Sequence, residues 1–300
     1  MIDVSGLQLR AVFIQALRSF FIGRGYLEVD TPLRIPAPAP ELHIQPFASE
    51  DWYLQTSPEL CMKRLLAAGI PKIFQICKCF RKGERGGRHL PEFTMLEWYA
   101  AGRNYLDLMD DCEALLRFVG QALGRGSVLK VGGGQLDLAG SWERLSVAEA
   151  FARYAPRSVD EALADDMFDE DMVVHIEPHL GRACPTFLYD YPAPLGALAR
   201  RKKSDSTLAE RFELYINGLE LANGFSELTD PIEQRRRFEK DLEGMAARGL
   251  KPGPMPESFL RDLPAMPEAA GIALGVDRLA MIFADGAEID RVVAFVPEEL

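Results

Sequence analysis

The sequence predicts an α+β fold in which an antiparallel sheet is flanked by helices. Apolar residues recur at helical spacing near the start of the chain, in residues 7–21. Two strand-like runs, 73–80 and 92–99, surround a polar, glycine-rich loop. Further along, Asn217-Gly218 separates two apolar runs, which is the strongest short hairpin signal in the sequence.

The first part of the chain is predicted to be one helix followed by strands and connections. The helix at residues 7–21 ends at Gly23 and Gly25. A strand at 26–29 comes next, and a proline-rich, extended connection at 35–40 leads towards the two strands that surround the polar loop.

The rest of the chain alternates helical and strand segments, and we find no internal repeat. A helix is predicted at 104–119, and the glycine-rich residues 124–140 predict a flexible or poorly ordered connection. The later segments are a mixed helical section at 146–180, strands at 186–189 and 211–216, a helix at 232–248, a proline-rich stretch at 252–267, and a strand, glycine-rich turn, helix and strand over 271–296.

The composition is typical of a globular protein with a large core. The chain has 300 residues, 48% of them apolar. Its net charge of −11 disfavours a broad nucleic-acid-binding surface, because phosphate binding usually needs a basic face. Polar residues interrupt the apolar ones at the N-terminus, so neither a signal peptide nor a membrane span is predicted, and we expect a cytoplasmic location.

The five cysteines are odd in number and lack a paired CxxC spacing, which argues against a disulfide framework or a zinc site. We therefore expect reduced, mostly buried thiols at Cys61, Cys77, Cys79, Cys112 and Cys184.

The loop between the strands at 73–80 and 92–99 is a candidate phosphate-binding loop. Arg81 ends the first strand, and Glu97 and Tyr99 share a face of the second because they are two residues apart. The loop sequence KGERGGRH offers cationic side chains and free backbone amides, which suit a polyphosphate. The alternative is an ordinary solvated hairpin loop.

The Asn217-Gly218 hairpin brings two carboxylates together. A two-residue turn pairs Tyr215 with Glu220, so Glu213 lies diagonally across from Glu220 on the same face. Two such carboxylates repel unless a cation lies between them, and Mg²⁺ bridging substrate phosphates would meet that need. The alternative is a solvent-facing pair partnered with Arg211.

The segment GIALGVDRLAMIF is a third candidate site. Its small residues Gly271, Ala273 and Gly275 allow a ligand to approach the backbone just before a helix, at whose start Arg278 lies. A tight packing turn between strand and helix is the alternative. The P-loop pattern GxxxxGK[ST] is absent from the sequence.

Together these segments resemble the class II aminoacyl-tRNA synthetases. FRKGERGGRHLPEFTMLEWY is similar to motif 2 of that family, GIALGVDRLAMIF to motif 3, and the first helix followed by GYLEVDTP to motif 1, whose proline lies at the dimer interface. TSPEL and ERFELYINGLELANGFSELTD extend the resemblance to the lysyl-tRNA synthetase branch, in order and spacing, across nearly the whole chain.

The resemblance implies an architecture and a reaction. The sequence begins almost at motif 1, where a lysyl-tRNA synthetase would carry its anticodon-binding OB-fold. It is therefore most similar to the stand-alone paralogues that attach (R)-β-lysine to a lysine side chain of elongation factor P. We expect one catalytic domain over residues 1–300 with a less regular insertion at about 120–185, no anticodon-binding domain, a homodimer, and no tRNA or membrane partner.

The resemblance also assigns roles by position. The positions that match ATP-binding residues of the family, with Arg81 and Arg278 as the catalytic pair, are Arg81, Glu84, His89, Glu220, Leu221, Gly275 and Arg278. The positions that match the pocket for lysine or β-lysine are Ser57, Glu59, Glu97, Tyr99, Asn223, Glu227 and Ala273. Glu213 and Glu220 match the carboxylates that bind Mg²⁺.

Two positions depart from the family pattern. Motif 2 usually has Arg-x-Glu, with the glutamate on the adenine amino group, whereas this chain has Arg81-Lys82-Gly83-Glu84, so Glu84 would replace it by a one-residue shift. Ala273 occupies a position that is generally glycine in lysyl-tRNA synthetases. Its methyl group would narrow the pocket beside the substrate's α-carbon and favour a displaced amino group, as in β-lysine.

The implied reaction is adenylate formation followed by transfer to an acceptor amine. Two rivals remain: a truncated synthetase that charges tRNA or another acceptor, and a regulatory paralogue without activity. The basic run at 199–205 is interpreted as a solvated loop, with docking of an acidic protein or of tRNA as the alternatives.

Overall fold

The computed structural model describes residues 4–300, and it has the predicted combination of helices with one large sheet. Its helices are α1 (Val4–Ile22), α2 (Glu59–Ala67), α3 (Tyr105–Ala122), α4 (Val147–Tyr154), α5 (Val159–Ala164), α6 (Phe168–Asp171), α7 (Pro231–Ala247), α8 (Glu257–Asp262) and α9 (Val276–Phe283). Its strands are β1 (Leu27–Glu28), β2 (Arg34–Ile35), β3 (Ala48–Ser49), β4 (Trp52–Leu54), β5 (Lys72–Phe80), β6 (Glu92–Ala101), β7 (Val128–Val131), β8 (Gly134–Asp137), β9 (Glu143–Ser146), β10 (Thr186–Pro192), β11 (Arg201–Lys202), β12 (Asp205–Ile216), β13 (Leu219–Ser226) and β14 (Ala269–Gly275).

The main sheet has the strand order β1-β5-β6-β14-β13-β12-β10-β9, with β11 paired to β12. The interior of the sheet is antiparallel, as predicted. The outer pairs β1–β5 and β9–β10 are parallel, so the sheet as a whole is mixed. The α+β prediction is confirmed, and none of the long strands predicted from the sequence, β5, β6, β12 and β13, is an edge strand of this sheet in the described residues.

The two faces of the sheet have different roles because side chains alternate along each strand. On one face Leu96, Trp98, Phe212 and Ile272 belong to a hydrophobic core that includes buried residues of α1, α3 and α9. The other face carries polar residues. The strands therefore hold the polar face in place through a core on the opposite side.

The register aligns polar residues from distant parts of the sequence in one transverse row. Across the sheet, Gln75 is opposite Glu97, Glu97 opposite Ala273, Ala273 opposite Asn223, and Asn223 opposite Glu213. Because directly opposed residues share a face and strands lie about 4.8 Å apart, Glu97 and Glu213 are roughly 14 Å apart along this row. One row therefore spans a site long enough for two joined substrates.

The Asn217-Gly218 hairpin forms as predicted, and it contains a bulge that the sequence did not reveal. Asn217 and Gly218 have φ values of 53° and 69°, which fits a type I′ turn. Tyr215 pairs with Glu220 as expected, but the register then shifts, so that Glu213 faces Asn223. The shift adds Asn223 to the face that carries the two carboxylates.

Several predictions of local structure were wrong. Residues 124–140 are an ordered hairpin, β7–β8, whose Leu129 and Leu136 join the main core, so apolar packing outweighs the glycine content. Within the described part of the chain, the strand expected at the end of 271–296 is replaced by a 3₁₀ turn, Ile289–Val292. The proline-rich stretch at 252–267 contains α8.

The five cysteines are free, as expected, but only Cys79 and Cys112 are fully buried. The remaining three are partly exposed, so the expectation of mostly buried thiols was wrong. None of the helices in residues 4–300 combines the length and the apolar composition that a membrane crossing would need.

Candidate functional site

The polar face of the sheet forms the floor of a cavity of about 1880 Å³. Every residue that the sequence predicted for the site lines it, except Glu227. The lining members of the predicted set are Ser57, Glu59, Arg81, Glu84, His89, Glu97, Tyr99, Glu213, Glu220, Leu221, Asn223, Ala273, Gly275 and Arg278.

Arg278, in the first turn of α9, connects the motif 2 loop to the β12–β13 hairpin. Its guanidinium donates to the backbone oxygens of Glu220 (2.8 Å) and Arg88 (3.3 Å), and it contacts Nε2 of His89 at 2.5 Å. Burial and the adjacent Arg278 lower the pKa of His89, so its ring is neutral near pH 7 and its Nε2 accepts a hydrogen bond from Arg278. The three elements thus hold one cationic group at this end of the cavity.

Arg81 supplies a second cationic group, at the end of β5. Its guanidinium carbon lies 5.1 Å from the centre of the Phe93 ring, and its Nε atom is buried without a hydrogen-bond partner in the described part of the chain. The nearest carboxylate oxygen, on Glu84, is 3.8 Å away. Arg81 is therefore oriented by an aromatic face and retains donors for an anion.

Glu213 lies on the floor, where it accepts hydrogen bonds from three side chains. The hydroxyls of Tyr191 and Tyr215 donate to its Oε2 at 2.6 and 2.7 Å, and Arg211 donates to its Oε1 at 2.6 Å. The pairing of Glu213 with Arg211, which was one alternative considered from the sequence, is present. Glu213 is only 9% exposed, so the pair does not face solvent as that alternative supposed. Its Oε1 keeps one free lone pair, because a carboxylate oxygen accepts two bonds.

Glu220 faces the cavity beside Glu213 and has a perturbed ionisation. Burial and the neighbouring Glu213 raise the pKa of Glu220 to about 7. Two carboxylates that disfavour each other's charge fit a divalent cation, which would relieve the repulsion. Glu220 together with the free lone pair of Glu213 would hold Mg²⁺ here, with the remaining ligands coming from water and phosphate.

A second carboxylate group lies at the other end of the row, around Glu97. Ser57 donates to its Oε1 and Tyr99 to its Oε2, each at 2.6 Å. Burial and the nearby Glu59 raise the pKa of Glu97 to about 8. The side chain is thus fixed in position, and a cationic ligand would favour its ionised form.

Glu227 is buried behind the cavity wall and is not among the residues that line the cavity. Its Oε2 forms an ion pair at 2.5 Å with Nζ of Lys63, which also contacts Oε1 of Glu59 at 2.5 Å. Burial raises the pKa of Glu227 to about 8, although Lys63 opposes this shift. The sequence analysis missed Lys63, yet the spacing of Glu59 and Lys63, four residues apart on a helix, was a usable signal.

Small residues on β14 shape the floor of the site. Ala273 lies between Glu97 and Asn223, and its methyl group is part of the cavity lining. At Gly271 a Cβ atom would stand 2.2 Å from Cε1 of Tyr99 and 2.4 Å from Oε1 of Glu227. Glycine is therefore required at 271, which the sequence analysis noted only as a position of close backbone approach.

Glu41 is a further ionisable residue at the cavity. Glu41 lines it from the connection before β3, and burial raises the pKa of Glu41 to about 7. No sequence pattern predicted a role for this residue.

The basic run at 199–205 is largely paired within the chain: Arg200 with Glu210 and Glu268, Lys202 with Asp190, and Lys203 with Glu268.

Comparisons with known proteins identify the family of this chain. Residues 4–299 match the family described as tRNA synthetases class II (D, K and N). The elongation factor P--(R)-beta-lysine ligases of Pectobacterium carotovorum and Pectobacterium atrosepticum are 41% and 40% identical to this chain, over 99% of it and 96% of each relative. The ligase of the same name from an Enterobacter species is 38% identical over 98% of this chain and 95% of the relative. The chain belongs to the class II tRNA synthetase family.

Proposed function

We propose that this chain is an ATP-dependent ligase that activates (R)-β-lysine or lysine as an adenylate and transfers it to a lysine side chain of elongation factor P. The observation that carries the proposal is one cavity lined by two cationic groups, a carboxylate pair and an acidic pocket, with Glu97 and Glu213 held on one row of its floor. The names of its relatives support the acceptor and the amino acid. A cytoplasmic location and a homodimer belong to the same proposal.

In the first step, a carboxylate oxygen of the amino acid attacks the α-phosphorus of ATP, and pyrophosphate leaves. Arg81 binds the reacting carboxylate and the α-phosphate, because it lines the cavity and its buried Nε has no hydrogen-bond partner in the described part of the chain. Arg278 and His89 bind the departing phosphates. These groups act by position and charge, which are the main sources of rate in phosphoryl transfer.

The metal would supply charge neutralisation of the phosphates, held by Glu213 and Glu220. The protein's own part is to keep Glu213 fixed by Tyr191 and Tyr215. At the other end, Glu97 and Glu59 bind the substrate's ammonium groups and Asn223 supports its carboxylate. An uncharged amino acid would leave these buried carboxylates unpaired and would be rejected.

In the second step, a neutral lysine ε-amine of the acceptor attacks the adenylate carbonyl. The amide bond forms as the nitrogen loses a proton to solvent, and the carbonyl–oxygen bond to AMP breaks with its electrons staying on AMP. The names of the relatives support transfer to a protein. Most cationic side chains of the 199–205 run are held by internal carboxylates, so this run favours neither acceptor.

The test measures ATP–pyrophosphate exchange with lysine and (R)-β-lysine, and then offers elongation factor P and lysine tRNA in parallel. We expect exchange with at least one of the two amino acids, and a mass increase of elongation factor P that is lost when its acceptor lysine is replaced by arginine. Arg278→Ala should abolish exchange.

Aminoacylated tRNA with unmodified elongation factor P would favour the tRNA alternative. No exchange with either amino acid would indicate a regulatory paralogue.

A further inference from the structure

Lys63 is a buried cation inside a region that must itself bind a cationic substrate. It lies on α2 with 1% of its surface exposed. Its Nζ atom is 2.5 Å from Glu59 Oε1, 2.5 Å from Glu227 Oε2, and 5.0 Å from the centre of the Phe225 ring. The ammonium is therefore shared between a carboxylate that lines the cavity and one that lies behind it.

We propose that Lys63 is a positioning residue that sets the net charge of the amino-acid pocket to match a substrate with two ammonium groups. This inference rests on the proposed function. Glu59, Glu97 and Glu227 carry three negative charges when ionised, and Lys63 contributes one positive charge, so the pocket has a net charge of −2. A diammonium substrate supplies the opposite charge, while its own carboxylate is bound by Arg81.

The position of Lys63 explains why it would not compete with the substrate. It is attached to α2 and is almost inaccessible, and its contacts are directed to one oxygen of Glu59 and one of Glu227. Glu59 lines the cavity, so its second oxygen remains available to a ligand. Lys63 thus neutralises the charge at the back of the pocket and orients Glu59 towards the front.

Electrostatics favour a pocket that contains Lys63 over one that holds the three carboxylates without it. Burial alone would lower the pKa of Lys63, but Glu227 and Glu59 raise it above its usual value, so the side chain remains charged. Without the ammonium, two buried carboxylates would lose their partner, and one of them would take up a proton instead. The pocket would then bind a dication with a different and more pH-dependent affinity.

The experiment uses the full chain and ATP–pyrophosphate exchange, with KM for lysine or (R)-β-lysine and KM for ATP measured separately. Lys63→Met should raise the amino-acid KM on the order of tenfold and change the ATP KM less than twofold. The amino-acid KM of this variant should also reach its plateau at a higher pH than that of the wild type. Lys78→Met is the matched control. Lys78 is an exposed residue near the C-terminal end of β5, and its Nζ atom lies 3.6 Å from a carboxylate oxygen of exposed Glu92. It should leave both constants unchanged.

A second comparison holds even if Lys63→Met fails to fold. Glu227→Gln leaves the pocket with a net charge of −1, whereas Lys63→Met combined with Glu227→Gln restores −2 and removes the unpaired buried carboxylate. We expect the double variant to bind the diamine more tightly than Glu227→Gln alone. Equal or weaker binding by the double variant would overturn the inference, as would a folded Lys63→Met variant with wild-type KM values and pH profile. Absence of exchange in the wild-type enzyme would instead overturn the proposed function.

Discussion

A single methyl group lies at the centre of the polar row. Ala273 is flanked in the sheet register by Glu97 on one side and Asn223 on the other. In the proposed reaction these neighbours bind an ammonium group and the carboxylate of the substrate. The methyl group therefore occupies space next to the carbon atoms that separate the two, where α-lysine and β-lysine differ in the position of an amino group.

Ala273→Gly should shift the preference between the two amino acids towards α-lysine. Removing the methyl group opens the space beside the α-carbon, where α-lysine carries its amino group. We expect the ratio of kcat/KM for β-lysine to that for α-lysine to fall roughly tenfold, the lower end of the range that one small group in a pocket produces. ATP–pyrophosphate exchange with each amino acid measures this ratio.

Ala280→Gly is a suitable control for Ala273→Gly, because Ala280 lies on α9 in the hydrophobic core, away from the polar face. It should reduce stability by about 1 kcal/mol through helix propensity without changing the preference. An unchanged ratio in Ala273→Gly would show that the methyl group does not determine specificity.

The ionisation of Glu97 predicts how substrate affinity depends on pH. Burial and Glu59 raise its pKa to about 8, so in the empty pocket Glu97 is mostly protonated at pH 7. A diammonium substrate binds the ionised form, so affinity should increase as the pH rises towards 8 and then level off. The amino-acid KM should fall roughly tenfold between pH 7 and 8.5, because each pKa unit corresponds to about 1.4 kcal/mol.

Glu97→Gln tests the origin of that pH dependence. The variant should bind the diamine more weakly at all pH values. It should keep only the part of the change between pH 7 and 8.5 that comes from Glu227, whose pKa burial also raises to about 8. The KM for ATP provides an internal reference, since it should not follow the ionisation of Glu97. A wild-type amino-acid KM that is flat over this range would contradict the assignment of Glu97 to an ammonium group.

At the level of single residues, the sequence was sufficient wherever a side chain's role depends on its own strand. The alternation along β6 correctly placed Glu97 and Tyr99 on one face. Lys63 and the position of Glu227 could not be derived in this way, because their contact joins α2 to the residue that follows β13. Such a pairing depends on tertiary packing, on which local periodicity carries no information.

At the level of elements, β14 is the strand on which the two halves of the site meet. It lies between β6, which carries Glu97 and Tyr99, and β13, which leads to Glu227. Gly271 allows Tyr99 and Glu227 to approach each other across this strand, since a Cβ would stand 2.2 and 2.4 Å from their atoms. Glycine at position 271 is therefore needed for the packing of the amino-acid pocket and not for the start of α9.

Gly271→Ala should disturb the amino-acid pocket and the sheet together. The added methyl group forces Tyr99 or Glu227 to move, and overpacking of this kind costs about 1–3 kcal/mol. We expect urea denaturation to show this loss of stability, and the amino-acid KM to rise more than the ATP KM.

Gly134→Ala is the matched control for Gly271→Ala. Gly134 also lies in a strand, β8, where a Cβ would make only an ordinary contact of 3.6 Å with the backbone oxygen of Val131. Its stability should change by no more than about 0.5 kcal/mol, as for a typical surface position. Equal effects of the two substitutions would refute the specific role of Gly271.

The elements that the sequence predicted well are those with a strong period or a defined turn. α1, α3, β5, β6 and the Asn217-Gly218 hairpin are examples. The β7–β8 hairpin was missed because its glycines suggested flexibility, whereas Leu129 and Leu136 anchor it in the core. The bulge at Leu214/Tyr215 was missed because register shifts are set by packing of the sheet and not by the turn.

At the level of the whole molecule, the exposed apolar residues of the motif 1 region are a candidate dimer surface. Val4, Leu7 and Ile22 of α1 are exposed, as are Leu27 and Leu33 on the following segment. In sequence, Leu27 and Leu33 lie on either side of the proline that matches the interface proline of motif 1. Isolated exposed apolar residues are common, but a group around one segment is typical of an interface.

Leu33→Glu should convert the expected dimer into a monomer. A buried interface cannot accommodate an unpaired carboxylate without losing several kcal/mol of association free energy. Ile232→Glu is the control, because Ile232 is an equally apolar, highly exposed residue on α7, distant in sequence from motif 1. In sedimentation velocity experiments over a range of concentrations, the wild type and Ile232→Glu should sediment as dimers and Leu33→Glu as a monomer. A wild-type chain that remains monomeric at all concentrations, or a Leu33→Glu variant that still dimerises, would rule out this surface.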